Sequence, residues 1–178
     1  MKRVKLLDRE FDLSIPEEVI LSAIDKVAEQ MNKELMDKDP LMICVLNGSF
    51  MFASDLMKRM NTPCEISFVK LSSYSGTSTT GNVKELIGLN ENIKDRTVVL
   101  LEDIVDTGIT ITNTIKQVEA LGPKEVKVAT MLFKPDACKC KVNLDYVGME
   151  IPNEFIVGYG LDYNGYGRNL KNIYTVVE

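Results

Sequence analysis

Histidine is missing from the 178-residue chain altogether. Its absence removes serine–histidine–aspartate and cysteine–histidine nucleophilic chemistry, histidine-ligated zinc, and imidazole as a general base. Proton transfer must then be carried by carboxylates, lysine, tyrosine or cysteine. Long apolar runs are missing too, and no stretch approaches the roughly 20 residues a membrane helix needs. The basic start Met1-Lys2-Arg3-Val4-Lys5-Leu6-Leu7 is interrupted by Asp8 and Arg9. Its apolar part is too short for a secretory leader, so a cytoplasmic location is expected. Cysteine is sparse. Cys44 and Cys64 sit in apolar, strand-like stretches and read as small buried thiols. Cys138-Lys139-Cys140 lacks the spacing of redox or zinc motifs, so no disulfide or metal is expected there. Positive charge is in deficit, with 21 Lys and Arg against 26 Asp and Glu and a net charge of −5. That balance speaks against broad electrostatic binding of nucleic acid.

What is present suits one domain over residues 1–178, with 45% hydrophobic and 26% charged residues. Ser14-Ile15-Pro16-Glu17 has the form of a capping box. The helix it would open carries Ile20, Ile24, Val27, Met31 and Leu35 at helical spacing, up to Asp39-Pro40. Leu41 to Leu46 is a continuous apolar run, as for a buried strand. Asn47-Gly48-Ser49 breaks it before a helix from about Phe50 to Met60. A second strand runs through Ile66, Phe68 and Leu71. The polar, glycine-containing stretch 72–82, with Ser73 and Tyr74 near its start, reads as a mobile loop inside the domain. Thr97 to Leu101 gives the next strand, and Ile111, Ile115, Val118 and Leu121 mark a helix ended by Gly122-Pro123. Further strands fall at Val126–Leu132 and Phe155–Val157. Strands alternating with helices give an α/β class, with a mainly parallel central sheet flanked by helices. Ligands in such sheets bind at the carboxyl ends of the strands. No internal repeat or interdomain linker is visible.

One such strand end stands out. After Thr97–Leu101 come Glu102, Asp103, two apolar residues, and Asp106-Thr107-Gly108-Ile109-Thr110, which leads into a helix. Gly108 supplies backbone freedom, and Thr107 and Thr110 offer hydroxyls beside the free amides of the helix start. That combination holds a phosphate without a basic side chain. Three carboxylates beside a phosphate are compatible if Glu102 and Asp103 accept hydrogen bonds from sugar hydroxyls and a divalent cation screens the rest. A ribose phosphate carrying magnesium fits both halves. Rival motifs are missing: there is no Gly-x-x-x-x-Gly-Lys-Ser/Thr element, and Gly158-Tyr159-Gly160 lacks the third glycine of a dinucleotide fingerprint.

These residues resemble the type I phosphoribosyltransferases, and the resemblance continues over nearly the whole chain in the family's order. Val45-Leu46-Asn47-Gly48-Ser49 is similar to a pyrophosphate loop, and Ser73-Tyr74 to the serine–tyrosine pair of a catalytic lid. Leu132-Phe133-Lys134, Phe155-Ile156-Val157-Gly158-Tyr159 and Leu161-Asp162-Tyr163-Asn164, followed by Arg168, resemble purine and metal segments. The resemblance implies the family's fold, with a small hood built from the chain ends. It also implies magnesium-dependent transfer of a phosphoribosyl group from phosphoribosyl pyrophosphate to hypoxanthine, guanine or both. Asp106 would be the general base at purine N7, and Thr107, Gly108, Ile109 and Thr110 would hold the 5′-phosphate. Glu102 and Asp103 would take the ribose hydroxyls and metal. Lys134 would donate to the purine 6-oxygen, Phe155 would stack on the ring, and Ile156 would offer backbone groups. Asp162 would serve purine and magnesium, while Asn47, Gly48 and Arg168 would meet pyrophosphate. Relatives are commonly homodimers or homotetramers. Asn47 replaces a lysine of many members and Ile109 a lysine of some, which shifts anion capture at both places to backbone amides and hydroxyls. The group accepted at purine C2 is left open.

Overall fold

Strand β3, Leu41–Leu46, is apolar at every position because both of its faces are covered. Met42 and Cys44 point into one core, and Leu41, Ile43 and Val45 into another. The computed structural model describes residues 2–73 and 84–177. In it β3 lies inside a six-stranded sheet, flanked by β4 (Glu65–Ser73) and β6 (Thr97–Val105). Beyond β4 lies β5 (Lys84–Ile87); beyond β6 lie β7 (Glu125–Phe133) and β8 (Tyr146–Glu150). All pairs are parallel except β4 with β5.

Helix α1 (Glu17–Glu34) and α2 (Phe50–Met57) cover one face, burying Ile20, Ile24, Val27, Met31, Phe52 and Leu56 against Val99 and Leu101. Helix α3 (Ile109–Glu119) covers the other, with Ile111 and Val118 packed on Val98 and Leu100. Each such side chain, fully buried, contributes about 1.5–3 kcal/mol. A second sheet joins the two ends of the chain: β1 (Arg3–Leu6), β2 (Arg9–Ile15), β10 (Ile173–Val176) and β9 (Ile156–Val157), in that order and all antiparallel. Its small core of Val4, Phe11, Val157 and Tyr174 forms the expected hood.

Three expectations need correction. The Ser14–Glu17 capping box does not form, because Ser14 is a residue of β2 and Pro16 is the N-cap without a side-chain bond. The first-turn amide of Glu17 instead donates to Asn172 Oδ1 at 2.8 Å, a cap supplied from the other end of the chain. Cys64 precedes β4 rather than lying in a strand, and is half-buried. Helix α1 ends at Glu34, before Asp39-Pro40, and α2 at Met57. The expected loop 72–82 falls almost wholly outside the described residues, Tyr74 with it; Ser73 closes β4, its backbone paired with Lys84. No described helix is long and apolar enough to cross a membrane.

Candidate active site

β6 runs four residues further than its apolar core suggests. Glu102, Ile104 and Val105 keep ladder partners in Thr130, Leu132 and Phe133 of β7, so Glu102 and Asp103 are strand residues and not part of the loop beyond. The consequence is burial. Glu102 is enclosed, and its Oε1 is the one buried side-chain oxygen or nitrogen without a hydrogen-bond partner among the described residues. Burial, reinforced by the neighbouring Asp103 charge, pushes its carboxyl well above the usual range. Asp103 is raised by burial as well, partly offset by backbone amides and by the charge of Arg168. Its Oδ1 accepts the Ile104 amide at 2.7 Å.

From Val105 the chain turns through Asp106, Thr107 and Gly108 into α3. Gly108 holds the left-handed conformation at φ +80° and serves as N-cap. The first-turn amides of α3 therefore open toward the strand end without intrahelical partners. A cavity of about 260 Å³ lies there, lined by Glu102 to Gly108 with Thr110 and Ile111. Thr107 Oγ1 accepts the Ile109 amide at 3.4 Å, while the Ile109 side chain is exposed.

The adjacent strand end supplies a cation. The Lys134 amide donates to Val105 O at 3.0 Å, anchoring the end of β7 to that of β6. The ammonium group of Lys134, only 8% exposed, lies 3.5 Å from Oδ2 of Asp106, which is 47% exposed. The pair was assigned separately from sequence; the fold makes it one unit, with a buried cation pointing at an accessible carboxylate.

The third component comes from β3. Leu46–Asn47 is a cis peptide, Asn47 is exposed, and Ser49 donates its hydroxyl to Val45 O. Gly48 packs flat on Asp103: a methyl group there would sit 1.5 Å from Asp103 Oδ2. Against the same loop lies the turn 158–168. A methyl at Gly160, φ +97°, would lie 1.9 Å from Gly48 O. Arg168 donates to Gly160 O at 2.7 Å and pairs with Asp162 Oδ1 at 2.7 Å, while Asp162 Oδ2 accepts the Gly165 amide at 2.6 Å. Arg168, Asp162, Gly160, Gly48 and Asp103 thus form one contiguous wall. Phe155 leans on Phe11 and Tyr163, with ring centroids 6.3 and 5.9 Å away, and leaves an exposed face. Ile156 is buried, its backbone paired with Thr175.

Gly160 is not singled out by the sequence, where Gly158 and Tyr159 belong to the segment resembling a purine site and the Gly-x-Gly fails as a dinucleotide fingerprint. Its signal is the need for two backbones to touch, which appears only once β3 and the C-terminal turn are adjacent. A larger cavity, about 640 Å³, opens between α1 and the segment after α2, lined by residues such as Asn32, Met36, Arg59 and Pro63. It shares no residue with the strand-end constellation, whose orphaned carboxylate beside a helix start marks it as the chemical centre.

The carboxylates Glu102, Asp103 and Asp162 are the donors magnesium prefers. That ion takes one or two carboxylates and completes its shell with substrate oxygens and water. The orphaned Glu102 Oε1 beside Asp103 fits such an ion or the hydroxyls of a sugar that carries it.

Comparison with known proteins agrees with this geometry. The family model for the phosphoribosyl transferase domain matches residues 16–164. Hypoxanthine-guanine phosphoribosyltransferase from Streptococcus pyogenes is 42% identical over 160 residues, 89% of each chain. Among solved structures, a hypoxanthine-guanine phosphoribosyltransferase from Bacillus anthracis has a TM-score of 0.85 at 35% identity, covering 93% of this chain and 98% of its own. A hypoxanthine phosphoribosyltransferase from Staphylococcus aureus has a TM-score of 0.86 at 34% identity, covering 93% and 91%. The chain belongs to the type I phosphoribosyltransferase family, among its hypoxanthine-guanine phosphoribosyltransferases.

Proposed function

We propose that the protein transfers the phosphoribosyl group of phosphoribosyl pyrophosphate to hypoxanthine, guanine or both, giving the nucleoside monophosphate and pyrophosphate. The observation that carries this reading is the Asp106–Lys134 pair at 3.5 Å, set at the mouth of the phosphate-binding turn. A 6-oxopurine needs a donor at its 6-oxygen and an acceptor for the N7 proton. Lysine offers three donors and no acceptor, so one faces Asp106 while others remain for the base.

Thr107, Gly108, Ile109 and Thr110 hold the 5′-phosphate through first-turn amides and hydroxyls of α3. Glu102 and Asp103 accept the ribose hydroxyls, which gives the orphaned Glu102 oxygen its partner. Glu102, Asp103 and Asp162 are the carboxylates that would hold magnesium, whose charge would offset that of the departing pyrophosphate. Asn47 and Gly48 offer backbone amides to that pyrophosphate, and Arg168 adds a cation there. Asp106 accepts the purine N7 proton as the glycosyl bond forms. Phe155 stacks on the base with its exposed face, and Ile156 contributes backbone groups. Ser73, at the end of β4, and Tyr74, outside the described residues, would help exclude water, which competes with the purine as nucleophile. The four free thiols suit a reducing, cytoplasmic setting. Exposed Phe50, Phe68 and Ile87 leave apolar surface for assembly as a homodimer or homotetramer.

A substrate panel tests the reading. The protein, magnesium and phosphoribosyl pyrophosphate are offered hypoxanthine, guanine, xanthine, adenine and orotate separately. Turnover of hypoxanthine or guanine with little of adenine or orotate is expected, and orotate as the sole substrate would overturn it.

A further inference from the structure

Between Lys134 and β8 the chain passes directly behind the phosphate turn, and there it carries two thiols that no step above uses. The Lys139 amide donates to Thr107 O at 2.9 Å, and the Cys140 thiol lies 3.5 Å from the same oxygen. Cys140 Sγ is also 3.5 Å from Thr112 Oγ1, the hydroxyl that donates to Gly108 O at 2.7 Å. The Cys138 thiol donates to Cys140 O at 3.2 Å. Both sulfurs crowd the same glycine: a methyl group on Gly108 would lie 2.8 Å from Cys140 Sγ and 3.1 Å from Cys138 Sγ. Each cysteine is free and half-exposed, so small reagents can reach it.

We propose that Cys138 and Cys140 are a peroxide-responsive dithiol, whose oxidation to an intrachain disulfide loosens the turn that holds the ribose 5′-phosphate. The inference rests on the phosphate role given to Thr107–Thr110 above. A hydroperoxide accepts the electron pair of one cysteine sulfur; its O–O bond breaks, alcohol or water leaves, and a sulfenic acid forms. The second sulfur attacks the first, the S–O bond breaks, the S–S bond forms, and water departs with the remaining thiol proton. Two thiols and one peroxide give one disulfide, one water and one alcohol, or a second water from hydrogen peroxide. Both thiol protons are consumed, so the Cys140 contact to Thr107 O and the Cys138 contact to Cys140 O lose their hydrogens. The sulfurs must also close to about 2.05 Å, which draws the strap away from Gly108 and removes the backing of the loop.

Hydrogen peroxide, alkylation and peptide mass mapping of the full chain test this, with KM measured for phosphoribosyl pyrophosphate and for the base before and after treatment. The expected result is one disulfide joining Cys138 to Cys140. KM for phosphoribosyl pyrophosphate should rise about fivefold, as for one lost hydrogen bond, and dithiothreitol should reverse it. In Cys138→Ser and Cys140→Ser the same treatment should leave each variant's own KM unmoved. An active enzyme whose two thiols stay alkylatable overturns the proposal, as does a disulfide that forms without moving KM. A protein that forms the disulfide on treatment but, before treatment, never turns over phosphoribosyl pyrophosphate overturns the functional reading on which the proposal rests.

Discussion

Asp106 is the residue on which the chemistry turns. With no histidine in the chain, it is the accessible carboxylate at the phosphate turn, and Lys134 fixes its position. Asp106→Asn keeps the shape but cannot take a proton, so kcat should fall by about 10²–10⁴-fold, the usual contribution of a general base; an unchanged kcat in steady-state assay removes that role. Glu102 makes a different prediction. A carboxyl raised by burial stabilises the fold only below its unfolded-state pKa and costs stability as pH rises through the folded value. At neutral pH Glu102→Gln removes that cost, so the Tm of the ligand-free protein should hold or rise. The Tm gain on adding phosphoribosyl pyrophosphate with magnesium should shrink. A Tm several degrees lower with the ligand gain intact would contradict the assignment. Both residues were legible in sequence because the turn packs carboxylates, glycine and hydroxyls into nine positions. Their pairing with Lys134 was not, since it depends on β6 and β7 being neighbours.

Among the elements, the strand ends and the helix start were read less well than the motifs. β6 extends to Val105 because Ile104 and Val105 still find partners in β7, although the charged Glu102-Asp103 pair looks like a strand terminus. The hood strands β1, β2 and β10 were not anticipated individually; β1 and β2 each bury a single residue, Val4 and Phe11, and Arg3, Glu10 and Asp12 pair across an exposed face. The cap of α1 shows the same limit. Ser14 lies near enough in sequence to look like the cap, yet Asn172 supplies it through a strand pairing of the two chain ends. Asn172→Ala should therefore cost about 1 kcal/mol of stability, read as a lower urea midpoint at unchanged slope. No loss on chemical denaturation would return the cap to solvent.

At the scale of the whole molecule, the hood must stay docked on the α/β body for the wall of Arg168, Asp162 and Gly160 to face Gly48. One tie is Tyr159, whose hydroxyl donates to Asp55 Oδ2 of α2 at 2.5 Å, with Lys58 2.6 Å from the other oxygen. Burial raises the Asp55 carboxyl, but the bonds from Lys58 and Tyr159 outweigh it and hold it below its ordinary value. A depressed carboxyl lends stability above its unfolded pKa, about 3.9, and loses it as pH falls through the folded value. The Asp55 contribution should therefore be level near neutrality and be lost below about pH 4, so the acid decline in stability should be shallower in Asp55→Asn. Equal acid slopes in the two proteins would remove Asp55 from the account. The most direct test of the central claim is the mass balance of one reaction: hypoxanthine, phosphoribosyl pyrophosphate and magnesium with the purified protein. One inosine monophosphate and one pyrophosphate should appear for each phosphoribosyl pyrophosphate consumed. Consumption of the donor without nucleotide would contradict it.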